Sequence, residues 1–178
     1  MANHHPLEKF SYCPVCGSSH FEVNNFKSKR CIDCGFVYYA NPCAATAAFI
    51  LNDRQELLVV RRANEPARGT LDLPGGFCDP YETVEEGMRR EIKEETGLDV
   101  ADVQYLFSSP NVYQYSGMGV HTLDMDFLVR VSGSRLAVQA ADDAAEALWI
   151  PLAEVDPEQF GLTSIRQAVV RFKKLHAF

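Results

Sequence analysis

The sequence predicts an α/β sandwich, a mixed sheet held between helices. Three features carry that expectation: β-type apolar runs recur from residue 44 onward, a glutamate-rich helix follows a Pro-Gly-Gly turn, and an amphipathic helix closes the chain. Ala44–Leu51 and Glu56–Arg62 read as strands joined by the Asn52-Asp53 turn. Leu71-Asp72-Leu73 is a short strand entering Pro74-Gly75-Gly76. A helix follows from about Pro80 to Thr96. Asp79 is its expected N-cap, Pro80 its first helical residue, Glu82 lies three residues after the cap, and Gly97 is the left-handed residue that ends it. Val103–Ser108 and Thr122–Val131 are further strands, and Ala147–Ile150 a short one. The last helix runs from about Ile165 to Leu175, with Ile165, Ala168, Val169 and Phe172 at helical spacing and Ser164 with Gln167 as a capping box.

The 178 residues are enough for one ordinary domain and a small appendage. Hydrophobic residues make up 47%, which excludes wholesale disorder. The formal net charge of -7 disfavours sequence-independent binding to nucleic acid, although a divalent ion can supply positive charge locally. The start, Met1-Ala2-Asn3-His4-His5-Pro6, shows no signal peptide, and the longest apolar stretch is too short to span a bilayer. A cytoplasmic location is therefore expected, where thiols stay reduced. Composition changes at Asn41-Pro42, so residues 1–40 are expected to form one unit and residues 41–178 the other.

Helical geometry singles out three glutamates. At about 100° per residue, Glu95 lies about 40° to one side of Glu91 and Glu94 about 60° to the other. Val84, Met88, Ile92 and Leu98 fall in or beside that arc, with Gly87 one turn before Glu91, while Glu85, Glu86, Arg89, Arg90 and Lys93 lie opposite. A solvated charged face explains the second group but not the first. Clustered carboxylates beside apolar residues repel one another and lose hydration unless a cation compensates. Oxygen-only ligands favour Mg²⁺ or Mn²⁺.

Gly76, five residues, Glu82, seven residues, then Arg90-Glu91-Ile92-Lys93-Glu94-Glu95-Thr96-Gly97-Leu98 matches the Nudix box at every defined position. The chain thus resembles the Nudix hydrolases. That resemblance implies an α/β/α sandwich and metal-dependent hydrolysis of a nucleoside diphosphate linked to another group. It implies that Glu91, Glu94 and Glu95 bind divalent metal, that Gly76 can add its backbone carbonyl, and that Glu82 pairs with Arg90. Glu146-Ala147-Leu148-Trp149 resembles a segment of NADH pyrophosphatases whose glutamate joins the metal site, and a surface glutamate before an edge strand is the competing reading.

Cys13-Pro14-Val15-Cys16-Gly17 and Cys31-Ile32-Asp33-Cys34-Gly35 form two C-x-x-C-G units, the ligand set of a structural Cys₄ Zn²⁺ site. A segment this short cannot build a core, and a metal can replace one. Cys43 and Cys78 are expected as buried thiols. A small N-terminal zinc ribbon before a Nudix domain resembles the group of NADH, FAD and ADP-ribose pyrophosphatases. One departure bears on substrate: where NADH pyrophosphatases carry Ser-Gln-Pro-Trp-Pro-Phe-Pro-Gln-Ser, this chain reads Ser108-Ser109-Pro110-Asn111-Val112-Tyr113-Gln114-Tyr115-Ser116.

Tyr113 and Tyr115, expected in a loop, and Phe77 after the box glycine could stack on a nucleobase or simply cover the core. Arg61, at the end of a strand, could reach phosphate. Three functions remain open at this point: a diphosphatase acting on a small-molecule nucleotide of the ADP-ribose, NAD(H) or FAD kind, removal of a nucleotide cap from RNA, and a non-catalytic Nudix-like sensor. The intact glutamate set speaks against the last and the negative charge against the second. A homodimer is expected by analogy with the family.

Overall fold

The computed structural model of the chain describes residues 5–132 and 144–176. Three short strands come first: β1 (Phe21–Asn25), β2 (Ser28–Cys31) and β3 (Val37–Tyr39) form an antiparallel sheet in that order. Phe21, Cys13 and Cys31 are its only buried cluster among the described residues, with Phe10 and Phe36 packed against it. So small an apolar centre falls short of what a free-standing fold needs.

A six-stranded sheet follows. β4 (Cys43–Leu51) pairs antiparallel with β5 (Glu56–Arg62), Ile50 opposite Leu58, and β6 (Leu71–Asp72) pairs with β5. β7 (Gln104–Tyr115) and β8 (Met118–Arg130) complete the order β6-β5-β4-β8-β7, and β9 (Ala144–Pro151) runs antiparallel along β5. Side chains alternate across β4, and the two faces bury separate cores. Ala48 and Ile50 meet Met88 and Ile92 of α1 (Val84–Thr96), whereas Ala47, Phe49 and Leu51 meet Ile165, Ala168, Val169 and Phe172 of α2 (Thr163–Leu175). Phe49 and Phe172 stack at 4.0 Å. The expected α/β/α layering is present. Among the described residues no helix is long and apolar enough to cross a membrane.

Four local expectations need correction. Helix α1 starts at Val84, not Pro80. Its N-cap is Thr83, whose hydroxyl accepts from Glu86 N while the Glu86 carboxylate accepts from Thr83 N, a capping box four residues after Asp79. Tyr81, at φ 73°, turns the chain out of helical geometry first. At α2 the cap is Leu162 with no side-chain bond, and Ser164 is buried inside the first turn. Strand β7 reaches Tyr115, so Tyr113 and Tyr115 sit on a strand and not in a loop. β7 ends the strand order, which lets it carry Pro110 without losing a central ladder bond. Cys43 is exposed and Cys78 half-buried, so neither is a core thiol.

By compactness the chain divides into two units, Met1–Cys43 with Val112–His121, and Ala44–Asn111 with Thr122–Phe178. The turn at Ser116 (φ 49°) and Gly117 (φ 71°) lies in the first, where the Lys9 ammonium donates to the Gly117 carbonyl.

Candidate active site

Gly75 and Gly76 bring the loop after β6 against both β4 and α1. Thr46 N donates to the Gly76 carbonyl at 2.8 Å and Ala48 N to that of Pro74 at 2.8 Å, so β4 holds the loop by its backbone. From the other side, Gly75 N donates to the Glu95 carboxylate at 3.0 Å. A methyl group on Gly76 would stand 2.7 Å from the Glu91 carboxylate carbon and from both its oxygens. The glycine therefore leaves the space into which Glu91 is turned.

Arg90 organises the same surface. It donates to both Glu82 oxygens (2.6 and 3.1 Å), to Glu91 at 2.8 Å, to Glu94 at 3.2 Å and to the Phe77 carbonyl at 3.0 Å. The sequence-predicted pair of Glu82 and Arg90 is thus formed. The Arg90 bonds hold the Glu82 carboxyl below its usual range. Burial pushes Glu91 up, with Arg90 opposing. Glu91 is well covered, but the Glu94 side chain is 51% exposed, so the three glutamates are not equally withdrawn from solvent. Gly87, one turn before Glu91, makes room for other groups of this surface. The space above it is taken by the Glu82 carboxylate, 2.8 Å from where a methyl would sit, and by the Cys78 sulfur at 3.2 Å.

Arg61 and Glu146, proposed separately from the sequence, face each other across β5 and β9 and form an ion pair at 3.1 Å. Arg61 also donates to the Gly69 carbonyl at 2.9 Å, so its guanidinium is engaged within the protein. Phe77 is 43% exposed and bridges Ala45 of β4. Tyr113 and Tyr115 belong to the other compact unit.

In that unit the four cysteine sulfurs lie within 4.8 Å of one another, the one such group of metal-type ligands among the described residues. Cys13–Cys34 and Cys16–Cys31 sulfurs are 3.7 and 3.6 Å apart. A tetrahedron of thiolates at the usual zinc–sulfur distance has an edge of about 3.8 Å. Gly17 (φ 73°) and Gly35 (φ 77°) make the turns that close each knuckle. The Cys34 backbone N–H brings the Cys31 thiol down to about 7, against the effect of burial. The donor set and its spacing fit one tetrahedral ion.

Charged groups the sequence reading passed over lie within the sheet. Asp72 is paired with Arg62, and burial nonetheless pushes its carboxyl up. Asp124 and Asp126 are buried on β8. Their signal was present: two acids at alternate positions of an otherwise apolar strand share one face.

Residues 41–171 match the family description NUDIX domain. The chain is 36% identical over 137 residues to an ADP-ribose pyrophosphatase of Methanocaldococcus jannaschii, covering 76% of this chain and 77% of that protein. It is 29% identical over 153 residues to an NAD-capped RNA hydrolase of Vibrio atlanticus, covering 85% of this chain but 53%, about half, of that longer protein. A crystal structure of a NUDIX hydrolase from Nitrosomonas europaea shares the fold with a TM-score of 0.67 at 22% identity, over 93% of each chain. With the family match spanning most of its length, the chain belongs to the Nudix family and is a pyrophosphohydrolase by class.

Proposed function

We propose that this enzyme hydrolyses the pyrophosphate bond of a nucleoside diphosphate joined to a second moiety, of the ADP-ribose, NAD(H) or FAD type, with Mg²⁺ or Mn²⁺ held by Glu91, Glu94 and Glu95. One observation carries the reading: Glu91 and Glu95 are turned onto the Gly75-Gly76 loop, whose Gly75 lies too close to the β4 backbone for any side chain. The likeness to an ADP-ribose pyrophosphatase supports the substrate class. When bound, the ion neutralises the diphosphate and acidifies a water.

The chain's own residues do the rest. Arg90 ties Glu82, Glu91, Glu94 and the Phe77 carbonyl into one frame, which fixes the loop against α1. The Gly76 carbonyl accepts from Thr46 N at 2.8 Å and from the Thr46 hydroxyl at 3.4 Å, and an ion that used this oxygen would take the place of the longer bond. A glutamate beside the attacking water takes its proton, the general-base role. Phe77, exposed at the rim, offers a ring for a base. Tyr113 and Tyr115 have no part in this reading.

Glu146 is the further acid we place in the reaction. Glu146→Gln is expected to lower kcat more than it raises KM. Its ion pair with Arg61 is solvent-exposed, so the change in stability should stay under about 1 kcal/mol. Kinetics equal to wild type would remove Glu146 from the site and leave it a surface partner of Arg61.

The reaction itself is tested by product release from ADP-ribose, NADH and FAD with Mg²⁺ or Mn²⁺, run beside NAD-capped RNA. Turnover of a small dinucleotide supports the proposal. Turnover of the capped RNA alone would establish cap removal, and binding without turnover would establish a sensor. We further propose that Cys13, Cys16, Cys31 and Cys34 hold a structural Zn²⁺. Metal analysis of the purified protein should find one zinc per chain, and Cys31→Ser should lose it and unfold the first unit, read as protease sensitivity within residues 5–43.

A further inference from the structure

Strand β8 presents two aspartates on the face it turns toward α2. Leu128 lies in the core under α2, and Asp126 and Asp124, two and four residues earlier, share its side of the strand. Their exposures are 1% and 9%. Asp124 accepts from the Thr122 hydroxyl at 2.6 Å. Among the described residues neither oxygen of Asp126 has a hydrogen-bond partner. Burial, reinforced by Asp124, pushes the Asp126 carboxyl up to about 7, with Arg171 of α2 pulling the other way. Asp72 of β6 is the remaining acid that feels Asp124. Arg171 does not neutralise Asp126 by contact: it is exposed, and its guanidinium lies 4.0 Å over the Phe107 ring.

A buried carboxylate with no partner weakens the fold; an apolar side chain of similar size would not, and an amide would at least remove the charge. A strand that keeps such a group against its own stability is behaving as binding sites do. The place is also suitable. β8 neighbours β4 in the sheet, and β4 is the strand whose Thr46 and Ala48 hold the glycine loop. On the face that β4 turns to the same core it carries Ala47, only a methyl group.

The chemistry of the partner follows from the charge. A carboxylate repels the diphosphate, so it must meet an uncharged part of the substrate that carries donors. Two free oxygens on one carboxyl group match two adjacent hydroxyls, whereas the single amino group on an adenine edge would satisfy only one of them. We propose that Asp126, supported by Asp124, is the specificity-determining residue that receives a vicinal diol of the substrate's sugar. The proposal rests on the nucleoside-diphosphate reading above.

The test uses the whole chain with Mg²⁺, and two uncleavable probes measured by calorimetry: α,β-methylene-ADP-ribose, with two sugar diols, and α,β-methylene-ADP, with one. Asp126→Asn and Asp126→Leu should each weaken binding of the first probe at least tenfold. Equal weakening for the second assigns the adenosine diol, and no change for the second assigns the terminal sugar. Both variants should also melt above wild type, by more at pH 8 than at pH 4. A carboxyl group whose pKa is raised on folding leaves the folded state progressively less stable as pH climbs from about 4 to about 7, and the variants lack that group. Unchanged affinity for both probes would overturn the inference while leaving the hydrolase reading intact. Diol-dependent binding that the variants lose, in a wild type that turns over no dinucleotide, would uphold it and overturn hydrolysis. Variants that melt below wild type at pH 8 would show Asp126 to be a structural partner of Arg171 and would also overturn it.

Discussion

Glu95→Gln should lower kcat on a dinucleotide substrate by about 10²- to 10⁴-fold, the range expected when a positioned carboxylate leaves a reacting centre. The amide keeps the size of the side chain and an oxygen that can still accept from Gly75 N. The loop should therefore stay in place, and the melting temperature should move little. What changes is charge: the site loses one of the three anions that are to hold a divalent ion against α1. The loss should be partly recovered by raising Mn²⁺ concentration, because the defect is one of ion affinity as well as of chemistry. Activity within threefold of wild type at low metal would place the reaction elsewhere and sink the assignment of Glu95.

Gly75→Ala should act in the opposite way, through the fold first. The new methyl would stand 2.1 Å from the Thr46 carbonyl oxygen and 2.8 Å from its carbon. Both atoms are backbone of β4 and cannot rotate aside. The residue's φ of 148° is also unfavourable for any L side chain. Relief requires the loop to leave β4, which breaks the Thr46–Gly76 and Ala48–Pro74 bonds and uncouples Gly75 from Glu95. We expect a loss of about 4 kcal/mol, or a melting temperature lower by about 10 °C, with activity lost in parallel. Gly97→Ala is the control. It shares a positive φ, 75°, but nothing lies within 4 Å of the added methyl, so its cost is the smaller one of backbone strain. Equal melting points for the two variants would show that the contact with β4 does not matter.

Much of this was legible in the residues. Apolar runs joined by a turn marked the central strands, the spacing of Ile165, Ala168, Val169 and Phe172 marked α2, and the cysteine spacing anticipated four sulfurs within tetrahedral reach. Local rules failed where tertiary contacts competed with them. Asp79 and Pro80 carry good helix-start chemistry, but Glu82 is drawn to Arg90 eight residues later, and the helix waits for Thr83. Tyr113 and Tyr115 follow a proline, which reads as loop unless one knows that β7 is at the end of its sheet. Arg61 and Glu146 are 85 residues apart in sequence, and only the pairing of β5 with β9 shows that each is the other's neighbour. Asp124 and Asp126 showed in the sequence as two acids on one face of a strand, but only the surroundings show that no hydrogen bond answers Asp126.

The hairpin tip at Val112–His121 groups with the cysteine-bearing segment, although some seventy residues of chain separate them. The first unit is thus stitched from two stretches, and it cannot be lifted out as a cassette. A truncation starting at residue 44 would strand the tip of β7 and β8 and remove the Lys9 ammonium that donates to the Gly117 carbonyl. Grafting the N-terminal segment onto another scaffold should likewise succeed only if the host supplies a matching hairpin.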